Sequence, residues 1–303
     1  MPRDDALLTL LLRLRELDYR FVAVTPASHE RVLARCWDGP PTLRDVFGWN
    51  RPFREDQLER GLLETMEAAG IVRRGGGGLR SGLRVASLGE DLFLHSAFPT
   101  EDSDAVFFGP DTYRFARFVA EHLPRLAPAT IADMGAGSGA GGLLAARLVP
   151  GAAVTLVDSN PAALDLARVN ARAAGLAVEL VHGDRLPCSP ELVIANPPYM
   201  IDEAGRAYRD GGELFGGQAA LEWTRDALSR LRPGGTLLLY TGAAIVGGAA
   251  PLLAGLERAC GEAGAAMTWA EIDPDVFGEE LAKPRYAEVE RIAAIGVVVS
   301  APR

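Results

Sequence analysis

Lysine is almost missing from this chain: Lys283 is the single one among 31 lysines and arginines, so positive charge is carried by guanidinium groups. Codon bias in a GC-rich genome accounts for that without any functional demand. Cysteine is scarce too. Cys36, Cys188 and Cys260 stand far apart with neither metal-ligand spacing nor pairing logic, which excludes a disulfide framework, gives no metal site and suits a reducing compartment. No uninterrupted apolar run is long enough to span a bilayer, and no charged-then-apolar segment opens the chain, so a cytoplasmic protein without a membrane partner is expected. An excess of positive charge is also lacking. The net charge is −9, and acids outnumber bases both before and after residue 105. Bulk electrostatic binding of a long nucleic acid is thereby excluded, leaving only a local arginine patch open.

What is present is length and apolar content: 303 residues, 48% of them hydrophobic, enough for two domains with a substantial core. We place the division between residues 104 and 105. Before it, leucines 7, 8, 11, 14 and 17 fall at helical spacing over 6–17 behind Asp4 and Asp5, predicting an amphipathic helix that packs on its own domain, with a homodimer seam as the alternative. Further helices are predicted over 26–35, capped by Thr25 or Ser28, and over 55–69, ended by Gly70. Glycines 75–78 follow, then two apolar runs, 83–88 and 92–97, and an acidic connector at 101–104. Helices followed by a hairpin predict a winged-helix-like α+β module. Arg73, Arg74, Arg80 and Arg84 flank its wing, either touching phosphate or forming a solvated hairpin edge that arginine protects from pairing.

The second part is organised around residues 131–142, IADMGAGSGAGG: a short strand, Asp133, glycines at alternate positions (Gly135, Gly137, Gly139) and then a helix. Alternate glycines let the backbone pass close to a ligand, and the helix start offers unpaired N–H groups. A dinucleotide fingerprint can also be read here, on Gly137, Gly139 and Gly142. Downstream, strands and helices alternate. The run 154–157 ends on Asp158, 178–181 on Gly183-Asp184, and 192–195 leads into Asn196-Pro197-Pro198-Tyr199. Strands are further predicted over 236–240, 267–272 and 292–299, helices over 161–174, 218–231 and 249–263.

The order of glycine turn, acid at the second strand, Asp at the third and Asn-Pro-Pro-Tyr at the fourth resembles the class I S-adenosylmethionine-dependent methyltransferases, in the branch that methylates planar nitrogens. The resemblance covers roughly residues 107–300 and implies a Rossmann-like α/β domain of seven strands, the last inserted antiparallel. It implies S-adenosylmethionine as cofactor, held by Asp133, Gly135, Gly137, Gly139, Asp158, Asp184 and Asn196, with Ser159 and Arg185 beside two of the acids. Phe108 and Tyr113, just upstream of the turn, are candidates to close over its methionine end. Hydride-transferring enzymes with this turn do not carry Asn-Pro-Pro-Tyr.

An amide nitrogen is a poor nucleophile because its lone pair is delocalised. The Asn196 side-chain oxygen and the Pro197 carbonyl can each accept one of its N–H groups and aim the lone pair at the methyl, while consecutive prolines keep that backbone rigid. Asn196, Pro197 and Tyr199 are therefore the catalytic candidates. Pro198, Tyr199, Arg206 and Tyr208 are the substrate candidates, the last two on a loop at 200–217 expected to close on the acceptor. Release-factor glutamine methyltransferases share the motif, though not the N-terminal part. The acceptor stays open between a protein glutamine amide, an RNA base amino group and, through the acids 271, 273, 275, 279 and 280, a cationic small molecule.

Overall fold

In the computed structural model, which describes all residues except Gly76, Glu101, Pro187, Cys188, 203–205 and Ala207, helix α1 (Arg3–Glu16) starts earlier than the leucine spacing predicts. Pro2 precedes it, and Asp4 and Asp5 fill the first turn, where carboxylates meet the positive end of the helix. Helix α2 (Pro26–Leu33) has proline at its start and Thr25 as cap, the hydroxyl accepting the Ser28 N–H at 3.2 Å. The single helix predicted over 55–69 is broken: Leu58 and Glu59 are extended between a 3-10 turn (Glu55–Gln57) and α3 (Arg60–Ala68).

Two antiparallel hairpins follow where one is predicted. Strands β1 (Val72–Gly75) and β2 (Gly78–Ser81) pair across the glycine run, of which Gly76 lies outside the described residues, and β3 (Leu83–Leu88) pairs with β4 (Asp91–Ser96). Consecutive glycines carry no strand propensity, which hides the first hairpin in the sequence. The second is buried along most of both strands, so the expectation for Arg84 fails. Its guanidinium is 5% exposed and donates to the Ser96 carbonyl at 3.1 Å, neither at a solvated edge nor facing phosphate.

By their contacts the residues form two units: Met1–Tyr113 with Gly137–Ala140 and Ala162–Ala177, and Arg114–Ala136 with Gly141–Pro161 and Val178–Arg303. The first unit's core joins Leu7, Leu10, Leu11 and Leu14 of α1 to Met66 and Val85, so most of the leucine stripe packs within the unit while Leu17 stays exposed. The same core takes Ala163, Leu166 and Val169 from helix Pro161–Ala174, which is why contacts cross the boundary expected at 104/105.

The second unit holds the sheet. After α4 (Pro110–Leu126) the chain gives β5 (Thr130–Met134), α5 (Ala140–Leu148), β6 (Ala153–Asp158), α6 (Pro161–Ala174), β7 (Glu179–His182), β8 (Leu192–Ala195), α7 (Gln218–Arg230), β9 (Thr236–Ile245), α8 (Pro251–Glu262), β10 (Ala266–Asp273) and β11 (Arg291–Ser300). The seven strands lie in the order β10-β11-β9-β8-β5-β6-β7, with β11 antiparallel to both neighbours. β9 is twice its predicted length. Gly242, Ala243 and Ala244 have poor strand propensity, yet each pairs with β11. Among the described residues no helix is long and apolar enough to cross a membrane, and no cluster could hold a metal ion.

Candidate active site

The chain runs β5, β6, β7 toward one edge of the sheet and then returns to the other side of β5 to form β8. Such a reversal opens a crevice at the carboxyl ends of the strands, the usual ligand position in an open α/β sheet. Around it stand the end of β5, Asp158 at the tip of β6, Asp184 just beyond β7 and Asn196 just beyond β8. β6 and β8 flank β5, so Asp158 and Asn196 are separated by two strand spacings, about 10 Å.

The three alternate glycines have left-handed backbones, Gly135 at φ 70°, Gly137 at 55° and Gly139 at 83°, conformations that side chains other than glycine's strain to adopt. The turn is fixed by the N–H groups of Gly135 and Ala136, both donating to the Val157 carbonyl, at 2.9 and 3.0 Å. A Cβ at Gly137 would meet nothing within 4 Å, so the space beside the turn is open to a ligand. At Gly135 a Cβ would collide with the Trp223 indole, a residue of α7 that no local pattern singles out.

Asp133 is buried near the end of β5. It is 2% exposed, and its Oδ2 accepts the Gly142 N–H at 2.7 Å, satisfying one of the orphan donors at the start of α5. Burial pushes its carboxyl up to about 7, against the hydrogen bond from Gly142, and the Asp158 charge pushes the same way as burial. Asp158 is half-buried and its Oδ1 accepts the Asn160 N–H at 2.8 Å, while its carbonyl accepts from Gly183, which ties the β6 tip to the Asp184 corner. Asp184, Arg185 and Ser159 are exposed. The Ser159 carbonyl lies 3.0 Å from His182 Nε2. A second residue that the sequence reading missed, Asn170, is buried in α6; its Nδ2 donates to the Ser138 carbonyl at 2.9 Å and its Oδ1 accepts the Leu94 N–H at 2.9 Å, anchoring the glycine turn.

Just beyond β8, Asn196 is half-buried, Pro197 buried and Pro198 half-buried. Tyr199 is 7% exposed: its ring lies where a Gly242 Cβ would be and meets Phe277 edge-on at 5.9 Å. Gly211 and Gly216 press their backbones on Pro198, Tyr199 and Met200, leaving no room for a Cβ at either. The 200–217 segment, of which 203–205 and Ala207 lie outside the described residues, is held by charge as well. Arg206 bonds Asp202, and Arg209 Nη2 lies 2.7 Å from Glu280. Tyr208 packs under the Arg206 guanidinium, 5.8 Å from ring centre, and burial raises its phenol pKa. Phe108 and Tyr113 take part in the first unit: the buried Phe108 ring packs against Phe93 and His95, and the Tyr113 hydroxyl accepts the Ala23 N–H at 2.9 Å. The acids that were candidates for a cationic ligand are largely used internally, Glu271 by Arg291, Asp273 by Arg114 and Glu280 by Arg209 and Lys283; Asp275 and Glu279 are exposed.

Seven strands in this order, a glycine turn after the first parallel strand and acids after the next two define the class I methyltransferase fold. A solved structure that shares it is wild-type Trm5b from Pyrococcus abyssi, TM-score 0.54 at 16% identity over 93% of this chain and 79% of that one. Residues 103–245 match the model of the methyltransferase small domain. The release factor glutamine methyltransferase of Deinococcus radiodurans is 35% identical over 196 residues, 60% of this chain and 66% of its own. The ribosomal RNA small subunit methyltransferase C of Ectopseudomonas mendocina is 32% identical over 117 residues, 33% of this chain and 35% of its own. The chain spans less than two thirds of the length of these curated relatives. S-adenosylmethionine is the methyl donor of this class, and the residues fit it: left-handed glycines beside open space, and acids at the tips of two successive strands.

Proposed function

We propose that this chain transfers a methyl group from S-adenosylmethionine to a planar nitrogen, and that the nitrogen is a glutamine side-chain amide in a protein. The observation that carries the reading is Asn196-Pro197-Pro198-Tyr199 at the end of β8, next to β5 and its glycine turn. The donor, when bound, supplies a methyl on a sulfonium that is already activated, so the chain's task is positioning and electrostatics. Asp158 and Asp184 bind ribose hydroxyls and the adenine amino group, with Ser159 and Arg185 beside them, and the Gly135–Gly137–Gly139 backbone admits the donor closely. Asp133 acts through α5, whose first turn it fixes. The Asn196 side-chain oxygen and the Pro197 carbonyl each accept an N–H of the acceptor amide and aim its lone pair. The two prolines hold those acceptors still.

A glutamine amide is favoured over a cationic metabolite because most of the acids that would recognise a cation are paired within the chain. It is favoured over RNA because Arg206, Arg209 and Arg74 are paired with Asp202, Glu280 and Glu55. Residues 105–303 then form the catalytic domain, and 1–104 an accessory module that selects the acceptor. Tritiated donor incubated separately with cell protein, RNA and small-molecule fractions tests this. Label is expected in protein, recovered as a methylated glutamine on proteolysis. Label only in RNA or only in metabolites overturns the acceptor assignment, and no label in any fraction overturns methyl transfer.

A further inference from the structure

The chain between β10 and β11 reaches the segment after β8 at three separate points. Phe277 presents its ring to Tyr199, centroids 5.9 Å apart. Glu280 accepts from Arg209 Nη2 at 2.7 Å, and the Tyr286 hydroxyl accepts the Ile201 N–H at 2.7 Å. Tyr286 is among the largest fully buried side chains, and Glu280 is 5% exposed.

We infer that residues 274–290 are a strap whose Phe277, Glu280 and Tyr286 position the Asn-Pro-Pro-Tyr turn for transfer, an inference that rests on the proposed role of Asn196. Simple space-filling does not account for these groups. A buried carboxylate between two cations returns little net stability, because desolvation offsets most of the attraction, so what Glu280 and its partners Arg209 and Lys283 contribute is a fixed position. Phe277 has φ 56°, a left-handed backbone that a bulky residue keeps only where its surroundings over-determine it. Apart from the strap, Gly211 and Gly216 abut the backbone of Pro198, Tyr199 and Met200, and Gly242 abuts the Tyr199 ring. The turn is therefore held by close backbone packing as well as by the strap. Tyr199 is spent on this clamp: with its ring between Gly242 and Phe277, it is a positioning residue for Asn196 and Pro197, which are the groups that touch the acceptor.

Two variants separate the anchors. Tyr286→Phe removes the acceptor for Ile201, and Glu280→Gln removes the charge opposite Arg209 and Lys283. Hydrogen exchange by mass spectrometry is expected to speed up, by up to about tenfold, in peptides from 196–217 of each variant and to stay unchanged in the glycine-turn peptide 131–145. Transfer of tritium from S-adenosylmethionine to cell protein at saturating donor is expected to fall by on the order of tenfold to a hundredfold, with the donor KM within about twofold. Unchanged exchange over 196–217 in both variants, or a raised donor KM at an unchanged rate, overturns the strap. A wild-type chain that labels no fraction overturns the proposed function instead, while the exchange measurement still decides whether the strap holds the turn.

Discussion

Taking the Asp133 carboxyl out of water shifts its ionisation to about 7, and the sign of the consequence is fixed by the reference value of 3.8. Between those values the folded chain binds the proton and the unfolded chain does not, so stability is full below about 4 and is lost as pH rises through 7. Asp133→Asn keeps an oxygen for the Gly142 N–H and cannot ionise. Thermal melts should therefore show the variant gaining on the wild type between pH 5 and pH 8, by on the order of a few kcal/mol. A difference independent of pH would show that the carboxyl titrates normally. Asn196→Ala addresses the other side of the crevice. It should leave the affinity for S-adenosylmethionine in isothermal titration within about threefold while transfer falls by a hundredfold or more, about 2.7 kcal/mol, the scale of removing one transition-state acceptor. Equal losses of affinity and rate would make Asn196 a wall of the donor pocket only.

At the scale of elements, β4 carries a group with no evident structural benefit. His95 is fully buried, neither ring nitrogen has a hydrogen-bond partner among the described residues, and Phe108 stacks on it. Burial first, then the Arg84 charge and His29, hold its pKa well below the usual value of 6.5. Here the unfolded chain binds the extra proton, so stability is lost as pH falls below about 6.5. His95→Phe removes that dependence, worth about 2 kcal/mol at pH 5. Urea unfolding followed through Trp49 at pH 7 and pH 5 should give the variant the flatter profile, and equal slopes would sink the idea. Elements differ in how far the sequence announced them. β5, β6 and β8 were legible to within a residue because each is a short apolar run punctuated by Gly, Asp or Asn-Pro. The turn Asn196-Pro197-Pro198-Tyr199 was legible as a rigid exit from β8 because two consecutive prolines follow a short apolar run. The bond of Asp133 to Gly142, the Trp223 indole on Gly135 and the strap are pairings between distant positions, which no local pattern records. Likewise Arg84 reads as surface in any charge count, and only its place on β3 buries it.

For the molecule as a whole the net charge of −9 and the state of its arginines act together. A protein that holds RNA electrostatically gains affinity by releasing counterions, and each phosphate contact needs a cation available to make it. Arg74 lies between Glu55 and Glu67 at 2.9 and 3.2 Å, Arg206 is bonded to Asp202, and Arg209 to Glu280, so an incoming phosphate would have to displace a carboxylate at each. Exposed pairs such as Arg74–Glu55 are worth little and would yield. The buried Glu280, however, would be left without its partner Arg209, at a cost several times larger. Filter binding to total RNA is therefore expected to show no affinity that rises as salt is lowered, and Arg73→Glu with Arg74→Glu should change nothing. A steep salt dependence, abolished by that double substitution, would place cations of the first hairpin on an RNA backbone and turn the acceptor from a glutamine amide into a base amino group.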